Sequence, residues 1–286
     1  MEIPQEIGLD LGLLFIIAVI MAYVARKVKV PRVAGYLVGG LIIGPNILGL
    51  VDESAVKLLI PVTEFALALI MFDIGTKFEF KRFGEQGSRL LPLILGDIFI
   101  TFGLVFAATW LFGSNFVPAL ILGILAIATA PAATLLVLKE YDAEGPVTDT
   151  LITLVGINNI VSIVAFEFAL VFLSITAAET GVFASLRTSM MELGAALLLA
   201  AVAGILVSYL EQKIQGQQRL ILFLAIVAIV YGLCAQLELS YMLVFLLMGM
   251  AVVNSSEFAE EIIGELDRVG MPLYVLFFLV AGAKLQ

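Results

Sequence analysis

The chain has 286 residues, of which 62% are hydrophobic and 14% charged, with a net charge of −9 and a mean hydropathy of +1.14. A soluble globular domain, whose apolar share is about half, is excluded. The acidic balance argues against nucleic-acid binding and against general attraction to anionic lipid. Histidine is absent and Cys234 stands alone, so the usual zinc ligand, the usual neutral-pH proton acceptor and any disulfide framework are missing. No nucleophile–base constellation, metal set or cofactor motif is visible in the loops, which points away from an enzyme.

Apolar runs near 8–25, 33–50, 56–75, 89–112, 116–138, 147–173, 185–210, 220–236, 240–255 and 269–284 read as ten spans. They are continuous and lack apolar/polar alternation, so the expectation is an all-α polytopic membrane protein rather than a barrel. Before span 1 the only charged side chains are Glu2 and Glu6. With no basic start of a signal peptide, that span is expected to stay in the mature protein. The loop at 26–32 holds four Lys or Arg and the loop at 77–89 another four; with 139–146, 211–219 and 256–268, one side collects twelve of the 15. By the positive-inside bias both chain ends face outside.

Span 2 carries Gly39-Gly40-Leu41-Ile42-Ile43-Gly44-Pro45-Asn46, a face suited to close helix packing. Span 3 holds Glu64, ~12 Å deep, read as a group satisfied by neighbouring helices. Asp73 and Lys77 near its inner end read as interfacial charges. Span 4 places Asp97 ~14 Å from the inner surface. An intramembrane carboxylate is costly, so Asp97 is either a proton or cation ligand or a hydrogen-bonded structural acid.

Span 5 contains Thr129-Ala130-Pro131. Proline removes a backbone donor and clashes with the preceding turn, so a kink or unwound stretch is expected near Thr129, ~20 Å from the outer end and thus near midplane. Half-helix ends at that depth are where many secondary transporters hold ions. Span 6 carries Asn158 and Asn159 mid-membrane, with Ser162 one turn on and on the same face as Asn158. Two amides there either bind a passing solute or hydrogen-bond between helices. The hydroxyls of Thr129 and Ser162 are candidate ligands too, the alternative being bonds to their own helix backbone. Glu167 falls near the outer interface, a poorer position.

Span 9 reads Met248-Gly249-Met250-Ala251-Val252-Val253-Asn254 and span 10 ends Val280-Ala281-Gly282-Ala283-Lys284, with Lys284 an outer-interface charge. Spans 2 and 3 resemble spans 9 and 10, each offset by seven and reversed in direction, the pattern of an inverted repeat. The expected organisation is a first repeat over 1–173, a connector helix over 174–218 and an incomplete second repeat over 219–286. On this reading three helices are missing, so the chain is expected to be a fragment or one part of a split assembly.

The segment Pro31-Arg32-Val33-Ala34-Gly35-Tyr36-Leu37-Val38-Gly39-Gly40-Leu41-Ile42-Ile43-Gly44-Pro45 resembles the second helix of the monovalent cation:proton antiporter superfamily, in its bacterial branch of potassium efflux proteins and sodium/proton exchangers. Glu64 with Phe72-Asp73-Ile74-Gly75, Thr129-Ala130-Pro131, Phe245-Leu246-Leu247-Met248-Gly249 and Phe277-Phe278 with Gly282 follow in family order. The resemblance stops three helices short of the roughly thirteen of such inverted-repeat proteins. It implies a sodium/proton antiporter-like fold in a bacterial or archaeal cell membrane, exchange of sodium or potassium for protons, and a homodimer. In that family the positions of Asn158 and Asn159 hold Asp-Asp or Asn-Asp, the carboxylate for which proton and cation compete. Asparagine offers a carbonyl oxygen but exchanges no proton, which moves the expected proton carrier to Asp97. Two other readings of the missing acid stay open: a transport-inactive sensor or regulatory relative, and a carrier of an anion or neutral solute.

Overall fold

A computed structural model describes residues 7–176, 182–214, 217–256 and 259–285. Glu2 and Glu6, the charged side chains before span 1, lie outside the described residues, as do parts of the expected connector. Among the described residues the chain is all helix: α1 Ile7–Lys27, α2 Arg32–Ile43, α3 Glu53–Thr76, α4 Phe80–Leu111, α5 Phe116–Ile127, α6 Pro131–Glu140, α7 Pro146–Thr176, α8 Val182–Glu211, α9 Gln217–Gln236, α10 Tyr241–Ser255 and α11 Ala259–Ala283. Seven segments among them are long and apolar enough to cross a membrane, and Arg32–Ile43, Tyr241–Ser255 and Gly270–Ala283 are shorter apolar helices.

Three boundaries depart from the hydropathy reading. The second run was expected to reach residue 50, yet α2 stops at Ile43. Gly44-Pro45 turns the chain out of the helix, and tight bonds from Leu48 N to Ile42 O and from Leu50 N to Ile43 O fold 44–51 back on its end. The apolar side chains of that turn extend the hydropathy signal without extending the helix. Conversely, α4 and α11 begin about ten residues before their apolar stretches at Leu90 and Gly270, because a helix can continue through a polar flank once it is nucleated.

The chain divides into two compact units. One comprises Met1–Ile70, Ala132–Glu144 and Ile263–Gln286. In it α1 packs on α2, and α2 crosses α11 at glycines. A Cβ on Gly40 would stand 1.9 Å from Leu279 O, and one on Gly282 would stand 2.1 Å from Leu37 O. Only hydrogen fits at either point, so the backbones touch. Asn46 Nδ2 donates to Leu285 O at 2.8 Å just beyond that crossing. At the other end of α2, Pro31 offers no side-chain cap, and the Arg32 N–H donates instead to Glu140 Oε2 at 2.8 Å. Arg32 Nε lies 3.4 Å from Glu140 Oε1.

The other unit comprises Met71–Pro131 and Gly145–Ile262. Here α4, α5 and α7 pack together, α7 meets α8, and α8 lies along α10. The last turns of α3 cross α10 through a second glycine pair: Cβ atoms on Gly75 and Gly249 would stand 2.1 Å from Leu246 O and 2.2 Å from Phe72 O. Asn254, at the end of α10, accepts from Phe80 N and donates to Phe78 O, both at 2.8 Å. It thereby clamps the turn between α3 and α4. Asp73 corrects an expectation. It lies in the last turns of α3, yet its side chain is 0% exposed, with Lys77 Nζ reaching back to 3.5 Å. The side-chain-free glycine crossing draws the helices close enough to bury it, and one helical turn supplies the counter-charge.

Candidate functional site

The site is built where a helix fails. The fifth apolar run forms α5 and α6 with Ala128, Thr129 and Ala130 outside both. Ala128 takes an extended conformation (φ −62°, ψ 125°), and its N–H bonds to Leu125 O rather than Ile124 O. Pro131 then opens α6 with no N–H to give, a position where proline is well suited to start a helix. Together these changes release backbone carbonyls inside an apolar bundle, and α7 supplies their donors.

Ser162 Oγ donates to Ile124 O at 3.0 Å, across to another helix rather than to its own backbone. Asn159 Nδ2 donates to Thr129 O at 2.7 Å and to Val155 O of its own helix at 2.7 Å. Asn158 Nδ2 spends its two hydrogens on Asp97 Oδ2 at 2.6 Å and Thr129 Oγ1 at 3.2 Å. The structure therefore brings Asp97, Thr129, Asn158 and Asn159 into direct contact, with Ser162 one turn further along α7. Glu167 lies about 14 Å beyond Asn158 by helix rise. The apolar cluster of Leu90, Ile94, Ile98 and Ile127, with Phe102, Leu154, Ile157 and Val161 packed on it, aligns α4, α5 and α7.

One atom has no use in this network. Asn158 is 2% exposed, and its Oδ1 is buried with no hydrogen-bond partner. With Asp97 ionised, a flipped amide would set an oxygen 2.6 Å from the carboxylate, so the amide hydrogens face Asp97 in that state. A buried unsatisfied acceptor costs about 1–3 kcal/mol. The arrangement thus presents hard oxygen acceptors around one carboxylate, with both amide hydrogens already committed. A cation relieves that deficit and an anion aggravates it. Among the described residues no group of three or more His, Cys, Asp or Glu could hold a metal ion.

Sequence reasoning missed Ile124 as a participant, since a carbonyl leaves no mark in residue type. The available signal was its spacing, four residues before the start of the unwound stretch.

Fold and site together define a helical membrane protein of the secondary-transporter class, with a discontinuous helix beside two buried amides and the carboxylate that one of them holds. Residues 14–286 match the family described as sodium/hydrogen exchanger, transmembrane, and the chain belongs to it. That family consists of secondary-active cation:proton exchangers, not enzymes. The chain is 24% identical over 276 residues to the ammonium/H+ antiporter subunit AmhT of Alkalihalophilus pseudofirmus, covering 93% of this chain and 68% of that one. It is 25% identical over 144 residues to the Na+/H+-K+ antiporter GerN of Bacillus cereus (50% and 37% covered). With the Na+/H+ antiporter NhaS5 of Synechocystis it shares 28% over 133 residues (42% and 19%). It therefore spans well under two thirds of the last two relatives. The sodium proton antiporter MjNhaP1 of Methanocaldococcus jannaschii shares the fold, with a TM-score of 0.68 at 18% identity over 98% of this chain and 71% of that one.

Proposed function

We propose that this chain carries the ion site of a transporter exchanging sodium or potassium for protons, with Asp97 as the group that alternately takes a proton or faces the cation. The observation that carries the reading is the unpartnered Oδ1 of Asn158, on the same amide whose nitrogen donates to Asp97 Oδ2 and Thr129 Oγ1. Asparagine at both central positions of α7 leaves the proton to the neighbouring helix. The name of the AmhT relative adds ammonium to the ions worth assaying, and the word "subunit" in it supports a partner chain.

Reconstitution into proteoliposomes tests this directly. A pH gradient should drive sodium, potassium or ammonium flux, and Asp97→Asn should abolish it while the protein stays folded. Unchanged flux in Asp97→Asn would remove Asp97 from the mechanism, and ion binding without any flux would favour the sensor reading. The committed amide hydrogens speak against an anionic substrate.

The remaining organisation belongs to the same proposal: both chain ends outside, a homodimer in a bacterial or archaeal membrane, and an inverted repeat. Support for the repeat comes from the glycine crossings. Exchanging span 2 with 9 and span 3 with 10 turns the α2–α11 pair Gly40/Gly282 into the α10–α3 pair Gly249/Gly75. Cysteine labelling of either terminus in intact cells checks the orientation.

A further inference from the structure

Between the end of α1, the start of α2 and the end of α6 lies a pocket of 530 Å³ lined by Arg26, Lys29, Val30, Arg32, Glu140 and Tyr141. That is within the usual range for small-ligand sites. Three cationic side chains and one carboxylate face it, in a chain whose net charge is −9. The carboxylate is already engaged, because Glu140 accepts from the Arg32 backbone and lies beside its guanidinium. Neither Arg26 nor Lys29 pairs with a carboxylate among the described residues. The positive end of α2, whose N-cap Pro31 supplies no side chain bond, opens at the same place.

A second observation is independent of charge. Lys29 has φ of 60°, and Val30 N donates to Ala25 O at 3.0 Å, the six-to-one bond of a Schellman ending. Glycine is the ordinary occupant of that left-handed position, and an L side chain there costs about 1 kcal/mol or more. A cation is held in a strained conformation at the mouth of a cation-lined pocket. Neutralising the negative end of α1 does not require it, since Arg26 and Lys27 already stand in that helix's last turn.

We infer that this pocket is a binding site for a phosphate group, gripped by Arg26 and Lys29 with Arg32 held ready by Glu140. Planar guanidinium and ammonium donors around a concave mouth suit a multivalent oxyanion. The phosphate could belong to a lipid headgroup or to a soluble ion. The net acidic chain repels such anions elsewhere, so the local reversal of sign confers the selectivity.

The full chain in neutral detergent is titrated with inorganic phosphate and, separately, with phosphatidic acid against phosphatidylcholine, following melting temperature and adducts by native mass spectrometry. At least one phosphate probe should raise the melting temperature. The double variant Arg26→Gln/Lys29→Gln should bind it about tenfold more weakly or worse, whereas Lys27→Gln should match the unmodified protein, since that ammonium lies over the Tyr23 ring instead. A response to both probes supports a site for the phosphate group itself, and a response to phosphatidic acid alone supports a headgroup site. No response to either, or equal affinity in the double variant, overturns the inference. Should the double variant fail to fold, Lys29→Gly relieves the backbone while removing the ammonium. It should melt no lower than the parent yet bind more weakly, and parental affinity in it would equally overturn the site.

Discussion

Gly75→Ala offers a sharp test of the backbone-to-backbone crossing of α3 and α10. The added methyl would sit 2.1 Å from Leu246 O, 2.9 Å from its carbonyl carbon and 3.1 Å from the Gly249 Cα. All three are backbone atoms, so no rotamer change relieves the clash. Ordinary contact begins at 3.4 Å, so α10 must retreat by about 1 Å or more, and a gap of that order forfeits a quarter to a half of each dispersion contact along the crossing. Overpacking of this kind costs about 1–3 kcal/mol. Against that stands a gain of about 0.5–1 kcal/mol from replacing glycine within a helix. The net loss is ~1–2 kcal/mol. Gly103→Ala in α4 is the matched control, because nothing lies within 4 Å of its new methyl. It should keep the propensity gain of about 0.5–1 kcal/mol. The two variants should therefore melt roughly 5–10 °C apart in the same detergent. If Gly75→Ala melts at or above Gly103→Ala, the tight crossing does not exist in the protein.

Asn158→Leu should raise the KM for the transported cation about tenfold or more by deleting the free acceptor, measured as flux against ion concentration. Thr129→Val keeps the Thr129 carbonyl contact but takes the 3.2 Å acceptor from the buried Asn158 amide, so stability should fall by about 1–3 kcal/mol in the same melt. Asn254→Ala strands Phe80 N–H and Phe78 C=O, costing about 1–3 kcal/mol by thermal denaturation with no change in cation KM. Glu140→Gln keeps an oxygen for the Arg32 N–H and should cost under about 1 kcal/mol; Glu140→Ala also loses the cap and should cost about 1 kcal/mol more in the same melt.

The membrane class and the approximate location of the helices could be read in the chain because apolar length is itself the physical requirement for spanning. Pro131 likewise marks the start of α6 through a property of one residue, its missing donor. Other features were hidden because they belong to pairs. Asn158 and Asp97 are separated by 61 residues, and nothing in either segment says that the amide hydrogens go to that carboxylate and leave the oxygen free. Asp73 looks interfacial by its place along α3, and only the partner helix buries it. The early end of α2 was obscured because Leu48, Leu50 and Val51 are apolar in a turn as they would be in a helix. Lys29 gave no signal at all, since its left-handed backbone runs against its residue type.

The α2–α11 contact has a consequence for how the protein is made. The 12 residues of α2 rise only about 18 Å, against a hydrocarbon core of about 30 Å. Its glycine face finds its match on α11, and the bond from Asn46 to Leu285 joins residues 239 positions apart. On the ribosome this second helix is therefore finished long before its partner exists. It must wait in or beside the bilayer, held by α1, until nearly the whole described chain has been synthesised and inserted.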